Sequence, residues 1–116
     1  LPEFIAYSTL ERIGRRPGVD FTFQSAFAGG RVDKGGIIID FLFRNPPDLA
    51  INIQGIFFHY GQGGAVRARD VMARQQLAGQ AITLIFIDED HIMENPEYYL
   101  REALRYRDHS RLGAGG

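Results

Sequence analysis

Apolar and polar positions along the chain follow two kinds of spacing, which separate the predicted strands from the predicted helices. Alternation or short apolar runs predict strands over Asp20–Gln24, Ile37–Phe43, Leu49–Phe58 and Ala81–Ile87. Helical spacing, with Asn95 as the N-cap of the last helix, predicts helices over Pro2–Gly14, Val66–Leu77 and Pro96–Tyr106. The predicted order of elements is therefore helix, strand, strand, strand, helix, strand, helix.

The order of these elements predicts how the strands associate. The first three strands are expected to form an antiparallel meander, with residues 45–48 as one of its turns. The third strand then crosses over through a helix to Ala81–Ile87, which should lie parallel to it. We therefore predict an α/β fold in which helices flank a central mixed sheet. Residues 1–112 are expected to form a single domain from a longer protein, and residues 113–116 a glycine-rich tail.

Composition and charge exclude several classes of protein. The chain of 116 residues has no cysteine, which excludes disulfides, zinc–thiolate sites and cysteine catalysis. It shows neither a signal peptide nor an apolar run of membrane-spanning length, so a cytoplasmic location without a membrane partner is expected. Lys34 is the only lysine among 13 basic residues. Arginine suits bidentate phosphate contacts, although a GC-rich genome produces the same bias.

Asp40 is the strongest chemical signal, because it interrupts an apolar strand. Carboxylates are seldom buried in strands unless they are paired or bind a metal. Regular alternation would place Ile39, Phe41 and Phe43 on the face opposite Asp40. Asp40 could alternatively cap a backbone group or pair with an arginine.

The next strand adds two amides and a histidine. Asn52 and Gln54 share one face, so Asp40 can converge with them at one end of the sheet. Hard cations such as Mg²⁺ take oxygen ligands of this kind. His59 follows the strand beside a glycine-rich loop, where it could act in acid–base chemistry or contact phosphate. A lone histidine is otherwise more often structural.

Other charged residues have less distinctive surroundings. Asp70 is expected on the helix face that meets the sheet, as a functional acid, a cap or a partner of Arg74. Residues 88–90 are interpreted as a polar loop that caps the next turn. His91 and His109 are interpreted as surface or helix-end residues. Basic residues near the glycine-rich loops are candidate DNA phosphate contacts: Arg31, Lys34, Arg67 and Arg69.

Several short stretches keep the order and spacing of a known nuclease pattern. They are Glu3 with Leu10, Phe21–Gln24, Ile39–Phe41, Asn52–His59, Asp70 with Leu77, and Ala81–Ile87. Together they resemble the PD-(D/E)XK nuclease superfamily over most of the chain. The likeness is greatest to very short patch repair (Vsr-like) endonucleases, EDxHD homing endonucleases and related domains of unknown function. The resemblance implies a restriction-endonuclease-like αβββαβ core.

The resemblance also implies roles for individual residues. Asp40 would be the main metal ligand and the Ile53 carbonyl the second, for Mg²⁺ or for Mn²⁺ in its place. His59 would act in acid–base chemistry or on the scissile phosphate. Glu3 would orient water or a second ion, and Asp70 would support the histidine or the metal.

Two amides depart from the superfamily pattern. Many members carry glutamate where Asn52 stands, and lysine or aspartate where Gln54 stands. Vsr-like enzymes lack that glutamate–lysine pair and are active, so Gln54 is still expected among the catalytic residues.

The expected function is that of a Mg²⁺-dependent DNA endonuclease domain that hydrolyses phosphodiester bonds, of phage or mobile-element type. If it is phage-encoded, its setting is the host cytoplasm. A homodimer, or a further DNA-binding domain outside this chain, would supply sequence specificity. The alternatives are a catalytically inactive nuclease fold for DNA binding or phage assembly, an RNA-directed or structure-selective nuclease, and a small α/β domain in which Asp40 is structural.

Overall fold

A computed structural model describes residues 1–23, 32–33, 38–55 and 64–114, with side chains for residues 1–23, 38–55 and 70–112. The helices are α1 (Pro2–Arg12), α2 (Gly64–Ala78), α3 (Glu89–Glu94), α4 (Pro96–Ala103) and α5 (Arg111–Ala114). The strands are β1 (Phe21–Phe23), β2 (Val32–Asp33), β3 (Ile38–Ile39), β4 (Phe41–Phe43), β5 (Leu49–Gln54) and β6 (Thr83–Asp88).

The central sheet is four-stranded and mixed, in the order β1-β4-β5-β6. β4 pairs antiparallel with both β1 and β5, which confirms the predicted meander. α2 carries the chain from β5 to β6, and these two strands are parallel, so the predicted crossover is also confirmed. Gln54 lies opposite Asp88 where both strands end. β2 and β3 form a separate antiparallel pair.

The sheet separates two apolar layers. Against one face, α1, α3 and α4 cover a core that includes Phe21, Phe41, Phe43, Leu49, Ile51, Ile85 and Ile87. Against the other face, α2 and α5 cover a smaller core of Ile39, Ala50, Leu77, Leu84, Phe86 and Leu112. Burying one large aliphatic or aromatic side chain stabilises a fold by about 1.5–3 kcal/mol. The two layers therefore fix the position of β5 and β6.

Two helix ends follow directly from their local sequence. Asn95 caps α4 as predicted, since its Oδ1 accepts the Tyr98 N–H at 3.2 Å. α1 ends at Arg12, and Gly14 then adopts a φ of 100°, a conformation that favours glycine. The reversal lets the Arg15 N–H donate to the Leu10 carbonyl at 2.8 Å, which satisfies a carbonyl of the last turn.

The strand predicted over Ile37–Phe43 is interrupted at Asp40, because β3 ends at Ile39 and β4 begins at Phe41. Ile39 packs in the layer with α2, whereas Phe41 packs in the layer with α1. The prediction that these two side chains share a face is therefore wrong. An irregular residue in a strand shifts the alternation of all later residues by one position.

Other element ends also differ from the predictions. β5 ends at Gln54 rather than Phe58, and residues 56–58 lie outside the described part of the chain. Glu89–Glu94 is a short helix, where the sequence predicts a polar loop. α5 extends to Ala114, two residues into the predicted glycine-rich tail. Within the described ranges, every helix is too short or too polar to cross a membrane.

The buried carboxylate of Glu102, on α4, makes the stability of the fold depend on pH in the acid range. His109 Nε2 lies 2.9 Å from Glu102 Oε1, and Arg107 Nη1 donates to Glu102 Oε2 at 3.2 Å. The hydrogen bond from His109, and then the charge of Arg107, hold the pKa of Glu102 below its ordinary value. A carboxyl with a lowered pKa stabilises the fold above its unfolded pKa, about 4.3 for glutamate, and this contribution is lost as pH falls through the folded pKa.

We therefore expect Glu102→Gln to flatten the acid limb of the stability profile. Melting temperatures of the wild type and the variant, measured from about pH 6 down to about pH 3, should converge as pH falls below about 4.3. Glu11→Gln, which changes an exposed glutamate on α1, is the control and should follow the wild type. An acid limb equally steep in Glu102→Gln would contradict this assignment.

Candidate functional site

The break between β3 and β4 is closed by a side chain of β5. The Asp40 N–H donates to Asn52 Oδ1 at 2.8 Å, and Asn52 Nδ2 donates to the Ile38 carbonyl at 3.0 Å. The side-chain amide thus takes the place of backbone groups where the ladder is interrupted. Asp40 and Asn52 are in contact, but through the backbone of Asp40 and not through its carboxylate, as the predicted convergence of side chains would require.

The carboxylate of Asp40 is held by the next residue of β5. The Ile53 N–H donates to Asp40 Oδ2 at 2.9 Å, and Asp40 is half-buried. Because the N–H and C=O of one strand residue point to the same side, the Ile53 carbonyl also faces the side of β5 on which β4 lies. This contact is a backbone cap, which is one of the alternative roles predicted for Asp40 from the sequence. Asp40 therefore has a structural role, and any chemical role comes in addition to it.

Gln54 and Asp70 form the adjoining part of the site, between the sheet and α2. Gln54 is 1% exposed, and its Nε2 donates to Asp70 Oδ2 at 3.2 Å. The other end of the amide, Gln54 Oε1, is buried and has no hydrogen-bond partner among the described residues. A buried polar atom left unpaired costs about 1–3 kcal/mol. Such an atom marks a place where an ion, water or ligand would supply the missing contact.

Asp88 is a buried acid at a position where the sequence predicts a polar loop. It is 0% exposed and lies opposite Gln54 in the β5–β6 pairing. The N–H and Nη1 of Arg111 donate to Asp88 Oδ2 at 3.1 and 2.8 Å. One sequence signal could have indicated this burial, since Asp88 continues the alternation that buries Phe86.

The guanidinium of Arg111 also pairs with Asp90, two residues further along the chain than Asp88. Its Nη2 donates to Asp90 Oδ2 at 3.0 Å, and this hydrogen bond holds the pKa of Asp90 below its ordinary value. Ligand atoms of Asp88, Asp90 and His91 lie within 4.8 Å of one another. Because an arginine already compensates both carboxylates, the cluster is explained as an ion-pair network and does not by itself indicate a metal.

The structure does not gather all of the predicted site residues. Glu3 lies in the first turn of α1, with its Oε1 3.6 Å from the amino group of Leu1. α1 and α2 cover opposite faces of the sheet, so Glu3 and Asp70 stand on different sides of it. The remaining predicted positions lie outside the described residues or side chains: His59, Arg31, Lys34, Arg67 and Arg69.

The two described histidines have contacts away from Asp40. His91 is half-buried in α3 and stacks on Tyr99, with ring centroids 4.2 Å apart. His109 is exposed, as predicted, and its bond to Glu102 ties the segment after α4 back to that helix. His109 is therefore accounted for by ion pairing, whereas His91 is held by stacking and its buried Nδ1 has no hydrogen-bond partner among the described residues.

Within the described residues, the carboxyl end of β5 carries the side chains best suited to bind an ion or a substrate. It combines a fixed carboxylate at Asp40, an unpaired amide oxygen at Gln54 and a second acid at Asp70. In α/β sheets, ligands commonly bind beyond the carboxyl ends of parallel strands, which is where Gln54 lies. Comparison of the chain with protein-family models, with curated proteins and with solved structures found no match.

Proposed function

We propose that this domain is a Mg²⁺-dependent DNA endonuclease that hydrolyses phosphodiester bonds on a restriction-endonuclease-like αβββαβ core. The order of the elements supports this fold. α1 is followed by the meander of β1, β4 and β5, then by the crossover helix α2 and by β6 parallel to β5. In this arrangement Asp40 falls at the start of the middle strand, and Asn52 and Gln54 fall on the next one.

One observation carries the proposal: a carboxylate is held at a break in the middle of the sheet by Ile53, and the next residue of β5 carries a buried oxygen that lacks a partner among the described residues. The Ile53 N–H fixes Asp40 Oδ2, and Gln54 follows Ile53 directly in β5. A strand interruption disturbs the ladder, and such irregularities often re-aim side chains next to active sites. Within the described residues, this is the place where a strand break and an unpaired acceptor adjoin.

The donor atoms fit a hard divalent cation. The Asp40 carboxylate, the Ile53 carbonyl and Gln54 Oε1 are all oxygen ligands, which Mg²⁺ prefers. The unpaired Gln54 Oε1 is the atom that a cation would satisfy. Mg²⁺, or Mn²⁺ in its place, supplies Lewis-acid stabilisation of the charge that develops on the phosphate.

The chain's own groups orient the reactants. Asp70 fixes the amide of Gln54, so that Nε2 faces the helix and Oε1 is left for the site. His59 moves the proton at the scissile phosphate, and Glu3 orients water. Glu3 would do so from α1, which covers the sheet face opposite α2.

DNA is the proposed partner, and its phosphates are contacted by basic side chains that position the duplex without reading its sequence. These side chains are Arg31, Lys34, Arg67 and Arg69. Sequence specificity comes from a homodimer or from a DNA-binding domain outside this chain. The proposed setting is the cytoplasm, which is the host's cytoplasm for a phage-encoded protein.

The second candidate is a catalytically inactive nuclease fold that binds DNA or serves in phage assembly. The observation that favours it concerns Asn52, which stands where many members of the superfamily that the sequence resembles carry glutamate. Both polar ends of its amide are bonded to backbone, so the sheet offers Asp40 as its carboxylate at this break.

Plasmid cleavage separates these two functions. Supercoiled plasmid is incubated with the wild type in Mg²⁺, Mn²⁺ or EDTA, beside Asp40→Ala and His59→Ala. Asp20→Asn is the control, because it removes a carboxylate that lies between α1 and β1 and hydrogen-bonds to Arg16 and Asn45. We expect metal-dependent cleavage by the wild type and the control, and none by the two site variants.

Other outcomes point to a different function. Retardation of DNA on a gel without cleavage, in either metal, would favour the inactive module. Cleavage of RNA but not of DNA would replace the proposed substrate. Unchanged cleavage by Asp40→Ala would remove Asp40 from the site.

A further inference from the structure

Asn52 is half-buried on β5, and its side chain is bonded to the backbone at both ends. Its Oδ1 accepts the Asp40 N–H at 2.8 Å, and its Nδ2 donates to the Ile38 carbonyl at 3.0 Å. One amide therefore spans the residue at which β3 and β4 are interrupted.

β5 holds Asp40 at two points. Asn52 holds its backbone, and the following residue, Ile53, holds its carboxylate at 2.9 Å. β5 lies in the interior of the sheet, between β4 and β6, so both contacts come from a rigid strand. Two adjacent anchors leave the Asp40 side chain little freedom to rotate, which is what a reacting group requires.

We propose, on the basis of the nuclease function proposed above, that Asn52 is a positioning residue for Asp40. Its amide bridges the strand break from Ile38 to Asp40 and thereby fixes the carboxylate beside Ile53, where the cation and the DNA phosphate bind. Asn52 acts through Asp40 and touches neither the metal nor the substrate.

The bridge requires an amide and excludes an acid. It needs one donor and one acceptor on a short side chain, and asparagine supplies both, whereas an ionised aspartate only accepts. Asn52→Asp would keep the bond from the Asp40 N–H but would set a carboxylate oxygen against the Ile38 carbonyl. An acid at this position is therefore expected to weaken this site.

The test compares the wild type with Asn52→Asp and Asn52→Ala. Asn45→Asp is the matched control, since Asn45 is exposed and its Nδ2 donates to the Asp20 carboxylate at 3.1 Å. The readouts are hydrogen exchange of the Ile53 amide by NMR, Mn²⁺ binding by EPR, and the Mg²⁺ concentration that gives half-maximal plasmid cleavage. Hydrogen exchange needs neither metal nor activity.

In both Asn52 variants, the amide hydrogen of Ile53 should exchange about fivefold faster. This factor corresponds to the net stabilisation that one hydrogen bond provides. The Ile51 amide should keep its protection. Mn²⁺ affinity should fall about tenfold, and the half-maximal Mg²⁺ concentration should rise by a similar factor, as for other groups that orient a metal ligand. KM for DNA should not change, and Asn45→Asp should match the wild type in every readout.

Wild-type protection of the Ile53 amide in both variants would overturn the inference, whether or not the chain cleaves DNA. Tighter Mn²⁺ binding by Asn52→Asp would also overturn it, because the new acid would then act as a ligand. If Asn52→Asp does not fold, Asn52→Ala decides, since it removes both bonds without adding charge. A wild type that neither binds Mn²⁺ nor cleaves DNA refutes the proposed function, and with it the catalytic role of Asn52.

Discussion

Arg111→Ala is expected to lower the free energy of unfolding by about 3 kcal/mol, which is typical when one partner of a buried ion pair is removed. The two partners are unequally buried: the side chain of Asp88 is 0% exposed and that of Arg111 is 46% exposed. Removing the guanidinium therefore takes from this buried carboxylate the charged group that donates to its Oδ2 at 2.8 Å. The measurement is urea unfolding near neutral pH, followed by circular dichroism.

Two further variants show that the effect belongs to the buried charge. Asp88→Asn in the Arg111→Ala background should restore part of the lost stability, because the interior then holds a neutral amide. Arg101→Ala removes an exposed ion pair, in which Arg101 Nε lies 3.2 Å from Glu97 Oε2. It should lower the free energy of unfolding by less than about 1 kcal/mol. A similarly small loss in Arg111→Ala would mean that Asp88 is compensated by other groups.

The topology of this domain could be predicted because it depends on the order of elements and not on their details. Short connections favour antiparallel neighbours, and a helical crossover favours a parallel strand. The first rule holds for β4 and β5, and the second for β5 and β6. The break at Asp40 could not be predicted in the same way, because regular alternation assumes an uninterrupted strand. The structure replaces part of the ladder there with the Asn52 side chain.

The sequence predicted which residues lie at the candidate site but not which of their atoms are in contact. Asp40, Asn52 and Gln54 were expected to converge as side chains, yet Asn52 binds the backbone of Asp40, and Gln54 binds Asp70. The burial of Asp88 was not predicted, because a charged residue after an apolar strand usually begins a loop. Its partner, Arg111, lies 23 residues further along the chain, a separation that no local pattern reports.

The largest effect on activity is expected from Asp40→Asn, which should reduce plasmid cleavage at least about 100-fold while leaving the fold nearly as stable as the wild type. The amide oxygen of the variant can still accept the Ile53 N–H, as Oδ2 does at 2.9 Å. What the variant loses is negative charge, which a structural cap does not need and a cation ligand does. Cleavage rates and melting temperatures are measured on the same preparations.

Asp40→Ala makes the comparison complete, because it removes the acceptor as well as the charge. It should lose cleavage to the same extent and, in addition, about 1–3 kcal/mol of stability from the unpaired Ile53 N–H. If cleavage falls only in Asp40→Ala and in proportion to stability, then Asp40 is a backbone cap alone. If Asp40→Asn is stable and inactive, the charge of Asp40 serves the chemistry, and its contact with Ile53 serves to hold that charge in place.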